Sequence, residues 1–506
     1  MKRAWLSAVL SALLAAPGAA QQGELGVNLS WWTNYHPEWV FVDAFKGAAE
    51  WVPQRVVGGP WNTGEPIAQR PDGYPAWLAP GQAVCTLMFK DIRGRYPGGR
   101  YIVLWDGDGD LELLDDARPV AVERNRIDID VTPRDGIRLR IIRTNPNDPV
   151  HNIRVIPAGF LSTYETQPFH PQFLANWRGF KLLRFMDWMR TGEPIAEWSE
   201  RPTPDYYSQA TSRGVAVEYM ILLANLLDAD AWFCLPHLAS EDYARQLGRT
   251  VAQGLEPGRR VYLEYSNECW NNAFVQARWC RDEGMRRQLS SNPFEAQLRF
   301  YSQRAIELMR VAHAELAPTH QVIRVLAAQN AGPWTGVAIM DWRDAWREAE
   351  ALAVAPYFGD ELGDPATQHQ VAQWPTERVF AECWVDLERT FVATAEHARN
   401  ARARGLTLIG YEGGQHLVGW GGAQDNQTLT DLFIAANRHP AMFFLYMAYL
   451  NRWEAVGGGP IAAYYSTGAP SKWGSWGALE WAAQDPLTAP KYLALWLWNV
   501  GYRIPL

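Results

Sequence analysis

Val261-Tyr262-Leu263-Glu264-Tyr265 is a short apolar run, and Ser266-Asn267-Glu268-Cys269-Trp270-Asn271 follows it directly. Bulky β-branched and aromatic residues over five positions read as a strand, here one that ends in an Asn-Glu pair and an indole. A second run has the same form: Leu408-Ile409-Gly410-Tyr411, then Glu412-Gly413-Gly414-Gln415-His416. Both strands end in a carboxyl. Working outward, similar runs recur at Leu25–Leu29, Lys181–Met186, Ala231–Leu235, Val322–Ala327, Ala351–Ala355 and Ile461–Tyr465. With Val261–Tyr265 and Thr407–Tyr411 they make eight. Helical patterns lie between most of them: Phe294–Leu316 carries Leu298, Tyr301, Ala305, Leu308 and Ala312 at three- and four-residue spacing. Arg378–Arg404 and Leu429–Asn437 read similarly, and Lys491–Trp498 reads as a closing helix. Eight strands alternating with helices predict an α/β fold, a (β/α)₈ TIM barrel.

One segment departs from that rhythm. Arg126-Ile127-Asp128-Ile129-Asp130-Val131 and Ile137-Arg138-Leu139-Arg140-Ile141 alternate apolar and polar residues strictly. Such alternation belongs to half-buried antiparallel strands. The expectation is a small antiparallel β-sandwich inserted after the first barrel strand. Its limits would be 84–157, with residues 21–83 starting the barrel and 158–506 completing it. Asp106-Gly107-Asp108-Gly109-Asp110 resembles part of a calcium loop, but the later Glu of such a loop is missing. It reads as a hairpin turn with solvated acids.

The chain begins Met1-Lys2-Arg3, runs apolar from Ala4 to Ala16, and then reads Pro17-Gly18-Ala19-Ala20. A charged start, a short apolar core and small residues at its end predict a signal peptide over residues 1–20. Export follows, to the periplasm or outside the cell. No later stretch is long and apolar enough to predict a membrane span. Net charge is −8, with both signs mixed, and no basic tract points to nucleic acid. The five cysteines leave at least one thiol unpaired, and Cys269 and Cys280 are close enough in sequence to bridge across a loop. No cysteine–histidine spacing suggests a metal site, and no cofactor is expected. The 26 tryptophans are the outlier of composition. An indole offers a flat apolar face and one polar N–H, which suits the C–H faces of sugar rings.

Two carboxyls at the C-terminal ends of parallel barrel strands stand where barrel active sites lie. Glycosidic bond cleavage needs such a pair: one carboxyl protonates the leaving oxygen, while the other is ionised to attack or to stabilise an oxocarbenium-like centre. A serine esterase would need a Gly-x-Ser-x-Gly elbow, which the chain lacks. The alternatives are a non-catalytic carbohydrate-binding protein on the same barrel and an adhesion protein that uses the β insertion.

Taken together, these motifs resemble clan A glycoside hydrolases, the retaining, cellulase-like barrels. The resemblance covers the barrel and not the inserted segment, and assigns no family within the clan. It implies Glu268 as acid/base, Asn267 as its neighbour at the sugar 2-hydroxyl, and Glu412 as nucleophile. Arg184, in Leu182-Leu183-Arg184-Phe185-Met186-Asp187-Trp188, matches the arginine of the second strand. His237 matches a histidine after the third strand, and Tyr357 a tyrosine after the sixth. Trp473 and Trp476 are candidates for the tryptophan under the scissile sugar. Asp187, Trp188, Trp32 and Trp270 follow strand ends and are expected to line the sugar site; His416 is a weaker candidate. Glu412, beside Arg184 and a tyrosine hydroxyl, should be held ionised, and Glu268 should stay protonated.

Overall fold

The computed structural model describes residues 24–504. The expected signal peptide lies outside the described residues. The chain divides into two compact units. The first takes the N-terminal segment through Ser30, Trp177–Trp198 and everything from Ala224 onward; the second takes Trp31–Asn176 and Ser199–Leu223.

After β1 (Leu25–Asn28), eight strands belong to the second unit: β2 (Val52–Arg55), β3 (Gln82–Met88), β4 (Gly99–Asp106), β5 (Gly109–Asp115), β6 (Ala117–Glu123), β7 (Arg126–Val131), β8 (Ile137–Thr144) and β9 (His151–Pro157). They form two antiparallel four-stranded sheets, β2-β3-β8-β5 and β6-β7-β4-β9. The alternation in the sequence works as expected: Ile127, Ile129, Ile137, Leu139 and Ile141 point into a shared core with Val84, Val103 and Val155. The unit is wider than the segment 84–157, because it begins at Trp31 and includes β2. Four residues containing Pro53 carry too little pattern to be read as a strand. The Asp106–Asp110 turn does not close a hairpin; it carries the chain from β4 in one sheet to β5 in the other. Its acids are held by arginines. Asp108 and Asp110 accept from Arg143, and Asp106 accepts from Arg154 and Asn152.

The first unit is a closed parallel barrel. Its later strands are β10 (Leu182–Arg184), β11 (Asp230–Leu235), β12 (Arg260–Tyr265), β13 (Gln321–Ala327), β14 (Ala351–Val354), β16 (Thr407–Gly410) and β18 (Ile461–Ala463). A small parallel pair, β15 (Tyr357–Phe358) and β17 (Gly414–Gln415), stands beyond β14 and β16. The barrel strands are apolar on both faces because helices cover the outside and side chains fill the inside. The helix Pro293–Leu316 shows how the local signals agree. Pro293 opens it, Asn292 caps it by accepting from the backbone N–H of Phe294 and Glu295, and its buried stripe includes Leu298, Tyr301, Ala305 and Leu308. All eight expected barrel strands are present. The last ends at Ala463, two residues early, and the peptide bond between Tyr464 and Tyr465 is cis.

All five cysteines are buried, free thiols, Cys269 and Cys280 among them. No described helix is long and apolar enough to cross a membrane.

Candidate active site

The site is built on strand register. Asn28, Arg184, Trp232 and Tyr262 are aligned across β1, β10, β11 and β12, and one layer higher Cys234 pairs with Glu264. Arg184 is fully buried and reaches four partners. Its Nη2 donates to Glu264 Oε2 at 2.9 Å and to Asn267 Oδ1 at 2.9 Å; its Nη1 donates to Asn28 Oδ1 at 2.8 Å and to Glu412 Oε2 at 3.3 Å. Trp232 Nε1 also donates to Glu264 Oε2, at 2.9 Å. Arg184 thus ties the ends of β1, β12 and β16 together beneath the two carboxyls.

Glu412 takes its second donor from Tyr357, whose hydroxyl is 3.0 Å from Oε1. Glu268 is held by neutral donors: the Tyr411 hydroxyl at 3.0 Å and Asn271 Nδ2 at 2.9 Å. Both carboxyls are buried. The backbone that presents Glu268 is unusual, since Ser266 and Glu268 are both in the left-handed region, with φ of 57° and 43°. Residues in that region cost energy and collect where a side chain must be aimed. Gly414, at φ 138°, leaves room for the Tyr446 hydroxyl behind the second strand end, and a Cβ at Gly413 would strike the Tyr449 hydroxyl.

Burial raises both carboxyls above the ordinary range, and the charge of Glu268 adds to the rise of Glu412. With Glu268 ionised, Glu412 is pushed up to about 8, by burial first and by Glu268 second. The repulsion is mutual, so the pair titrates as a unit and the last proton is held well above the usual carboxyl range. Arg184 does not by itself hold Glu412 ionised, because its charge is already matched by the bidentate contact with Glu264. When one proton is left, Glu412 has a guanidinium and a phenol beside it, and Glu268 has a phenol and an amide. The charged donor places the anion on Glu412.

A cavity of about 390 Å³ opens beside the pair, lined by Glu268, Trp270, Asn330, Tyr357, Asp360 and His416 among others. Tyr357, His416, Tyr464 and Trp476 form an aromatic wall, with the Trp476 ring 5.0 Å from His416 and 5.6 Å from Tyr464. Burial keeps His416 neutral. Asp187 is buried, and its charge raises Glu412 and Tyr464.

Four other candidates have contacts of their own. His237 is tied by Nδ1 to Thr191 O at 3.1 Å, and its ring lies edge-on to Trp279. Trp188 is 1% exposed against Phe185, so it has no face to offer a sugar. Trp32 belongs to the other unit, buried edge-on against Phe41. Trp473 is 62% exposed, with the Lys472 ammonium over its ring. A tryptophan just past a strand end can fold inward or outward, and sequence does not distinguish the two.

The residues that sequence reading missed are Glu264, Asn28, Tyr411, Asn271 and Tyr464. Glu264 had a signal: a carboxyl in the middle of an otherwise apolar strand requires a buried cation. Tyr411 and Asn271 read as packing and loop; register brings Tyr411 to Glu268, and the turn after β12 folds Asn271 back onto it.

No protein-family profile matches the sequence, and no curated protein matches it. Solved structures align with part of it. A GH51 arabinofuranosidase from Xanthomonas axonopodis pv. citri is 12% identical over 67% of each chain, with a TM-score of 0.41. A glucosidase from Croceicoccus marinus is 13% identical over 64% of this chain and 63% of its own, with a TM-score of 0.36. An endo-beta-1,4-mannanase from Thermotoga petrophila is 12% identical over 66% of this chain and 74% of its own, with a TM-score of 0.32. This chain therefore spans under two thirds of the glucosidase.

Proposed function

We propose that the barrel is a retaining glycoside hydrolase, exported from the cell, that cleaves a β-linked poly- or oligosaccharide with Glu268 as acid/base and Glu412 as nucleophile. The observation that carries the reading is the buried pair itself. Two carboxyls share one barrel mouth, burial raises both, Glu268 raises Glu412 further, and Glu412 alone of the two has a cation in contact. One proton between them at neutral pH is the state that double displacement starts from. Glu412 attacks the anomeric carbon as Glu268 gives its proton to the leaving oxygen. Water, deprotonated by Glu268, then releases the sugar from the Glu412 ester. Asn267 has its Oδ1 committed to Arg184, which leaves its amide N–H groups to donate to the sugar 2-hydroxyl. The retaining course and the roles of Asn267 and Tyr357 follow the resemblance to clan A enzymes.

The test is a hydrolysis screen of the chain lacking residues 1–20, beside Glu412→Ala, on β-glucans, mannans, xylans, galactans and aryl glycosides. The parent should release sugar and the variant should not, and the first-formed anomer should retain configuration. Substrate-stable binding with no hydrolysis by the parent would replace this reading with that of a carbohydrate-binding protein.

A further inference from the structure

The second unit carries a cleft that the barrel chemistry does not use. In β8, Ile137, Leu139 and Ile141 turn into the sandwich core, which sends Arg138 and Arg140 to the outer face. Across the ladder Leu114 pairs with Arg138 and Glu112 with Arg140. The loop after β2, Val56-Val57-Gly58-Gly59-Pro60-Trp61, folds over this face and is held by Gln54 Nε2 donating to Trp61 O at 3.1 Å. Arg140 Nη2 donates to Arg55 O at 2.5 Å and pins the base of the same loop. A cleft of about 420 Å³ results, walled by Arg55, Arg138, Arg140, Leu114 and Trp61.

Two features of the cleft suit a sugar. Trp61 is 49% exposed on a loop, with the Arg138 guanidinium 5.9 Å from its ring centre on one side. A held, half-open indole is a platform for the C–H face of a pyranose. The floor of the loop is bare, since Gly58 has open space where a side chain would stand. Charge decides the kind of sugar. Arg55 pairs with Glu65, Arg138 with Asp115 and Arg140 with Glu112, so each cation of the cleft is already neutralised. An acidic chain would have to displace three carboxylates; a neutral one would not.

We propose that this cleft is a second glycan-binding site, which holds a neutral polysaccharide on Trp61 and the guanidinium groups of Arg138 and Arg140. That its ligand is the polymer cut by the barrel rests on the proposed function. The experiment is affinity gel electrophoresis of the full chain as Glu412→Gln, which cannot digest the gel, beside Glu412→Gln/Trp61→Ala and Glu412→Gln/Arg138→Gln. The probes are soluble β-glucan, mannan, xylan and polygalacturonate. One neutral polymer should retard the parent, with binding unchanged by about 0.5 M salt and weakened roughly tenfold by Trp61→Ala. Equal retardation of parent and both variants, by any polymer, overturns the proposal. So does retardation by polygalacturonate alone that salt abolishes, or no retardation at all. Thermal midpoints of the variants equal to the parent's exclude loss of fold. Turnover of an aryl glycoside by Trp61→Ala, with Glu412 intact, reads the barrel separately. Trp61-dependent binding without any turnover would defeat the hydrolase reading and leave this one standing.

Discussion

The Tyr411 hydroxyl donates to Glu268 Oε1 at 3.0 Å, although Tyr411 immediately precedes the opposite carboxyl, Glu412. One strand end therefore supplies the second carboxyl and a donor to the first. Its ring also lies under Arg184, 5.2 Å from the guanidinium. Tyr411 thus touches Glu268 through its hydroxyl and, through its ring, the arginine that bonds Glu412.

Tyr411→Phe keeps the ring and removes the donor. The bond favours the ionised form of Glu268 and lowers its pKa, so its loss raises that pKa further. The alkaline limb of the kcat/KM profile should move to higher pH, and turnover should fall about tenfold, as for one lost hydrogen bond to a charged group. An alkaline limb that stays in place would show that Glu268 does not govern it.

Glu264 and Arg184 are both wholly buried and joined by three hydrogen bonds of 2.9 to 3.1 Å. Removing one member leaves an uncompensated buried charge. Glu264→Gln should cost about 3–5 kcal/mol of stability, read by denaturant unfolding. Arg184, freed of its partner, should also act more fully on Glu412 and shift the acid limb of activity to lower pH. Stability equal to the parent's would mean that Arg184 is balanced by Glu412 alone.

The barrel was legible because each strand is a short apolar run that must be buried on both faces, and the eight such runs are widely spaced. Glu268, Glu412 and Arg184 were legible for the same reason, as polar groups placed by strand ends. Of their partners, Tyr357 and Asn267 were expected and the others were not. Tyr411 reaches Glu268 across 143 positions of sequence, and nothing local in Tyr411 or Asn271 announces it. Tryptophans were the weakest guide: Trp188 and Trp476 look alike in sequence, yet one packs on Phe185 and the other joins Tyr357 and His416. The second unit was legible only where alternation is strict, which left out β2 and the loop that carries Trp61.

The carboxyl pair should leave a mark on stability. The last proton of the pair is held more tightly folded than unfolded, from the ordinary value near 4.5 up to about 8, the value reached by Glu412 against an ionised Glu268. The folded state then holds more protons than the unfolded state across that window, so stability is full below it and is lost as pH rises through it. Glu412→Gln removes the buried charge. Its thermal midpoint should exceed the parent's at pH 8 and approach the parent's at pH 4.5. A difference that is flat between those values would mean that the pair does not hold its proton.

Lys491 has the opposite sign and acts from behind the aromatic wall. It is buried, and its Nζ donates to Ser475 O at 2.5 Å and Trp476 O at 3.2 Å, fixing the backbone that carries the Trp476 ring. Burial lowers it to about 7, against a smaller opposing pull from Glu480, itself paired with Arg438. Between that value and 10.5 the unfolded state binds the extra proton, so this group makes stability rise with pH through the window and costs most below 7. Lys491→Met removes that cost along with two hydrogen bonds. Measured against the parent, it should therefore be most favourable at pH 6 and least at pH 10, a swing on the order of a few kcal/mol. Each carbonyl keeps one bond in the variant, Ser475 O from Gln415 Nε2 at 2.8 Å and Trp476 O from the Tyr465 backbone N–H at 3.3 Å. If the wall grips the sugar, KM should rise while kcat changes less. A fall in kcat alone would place Trp476 in the chemical step instead.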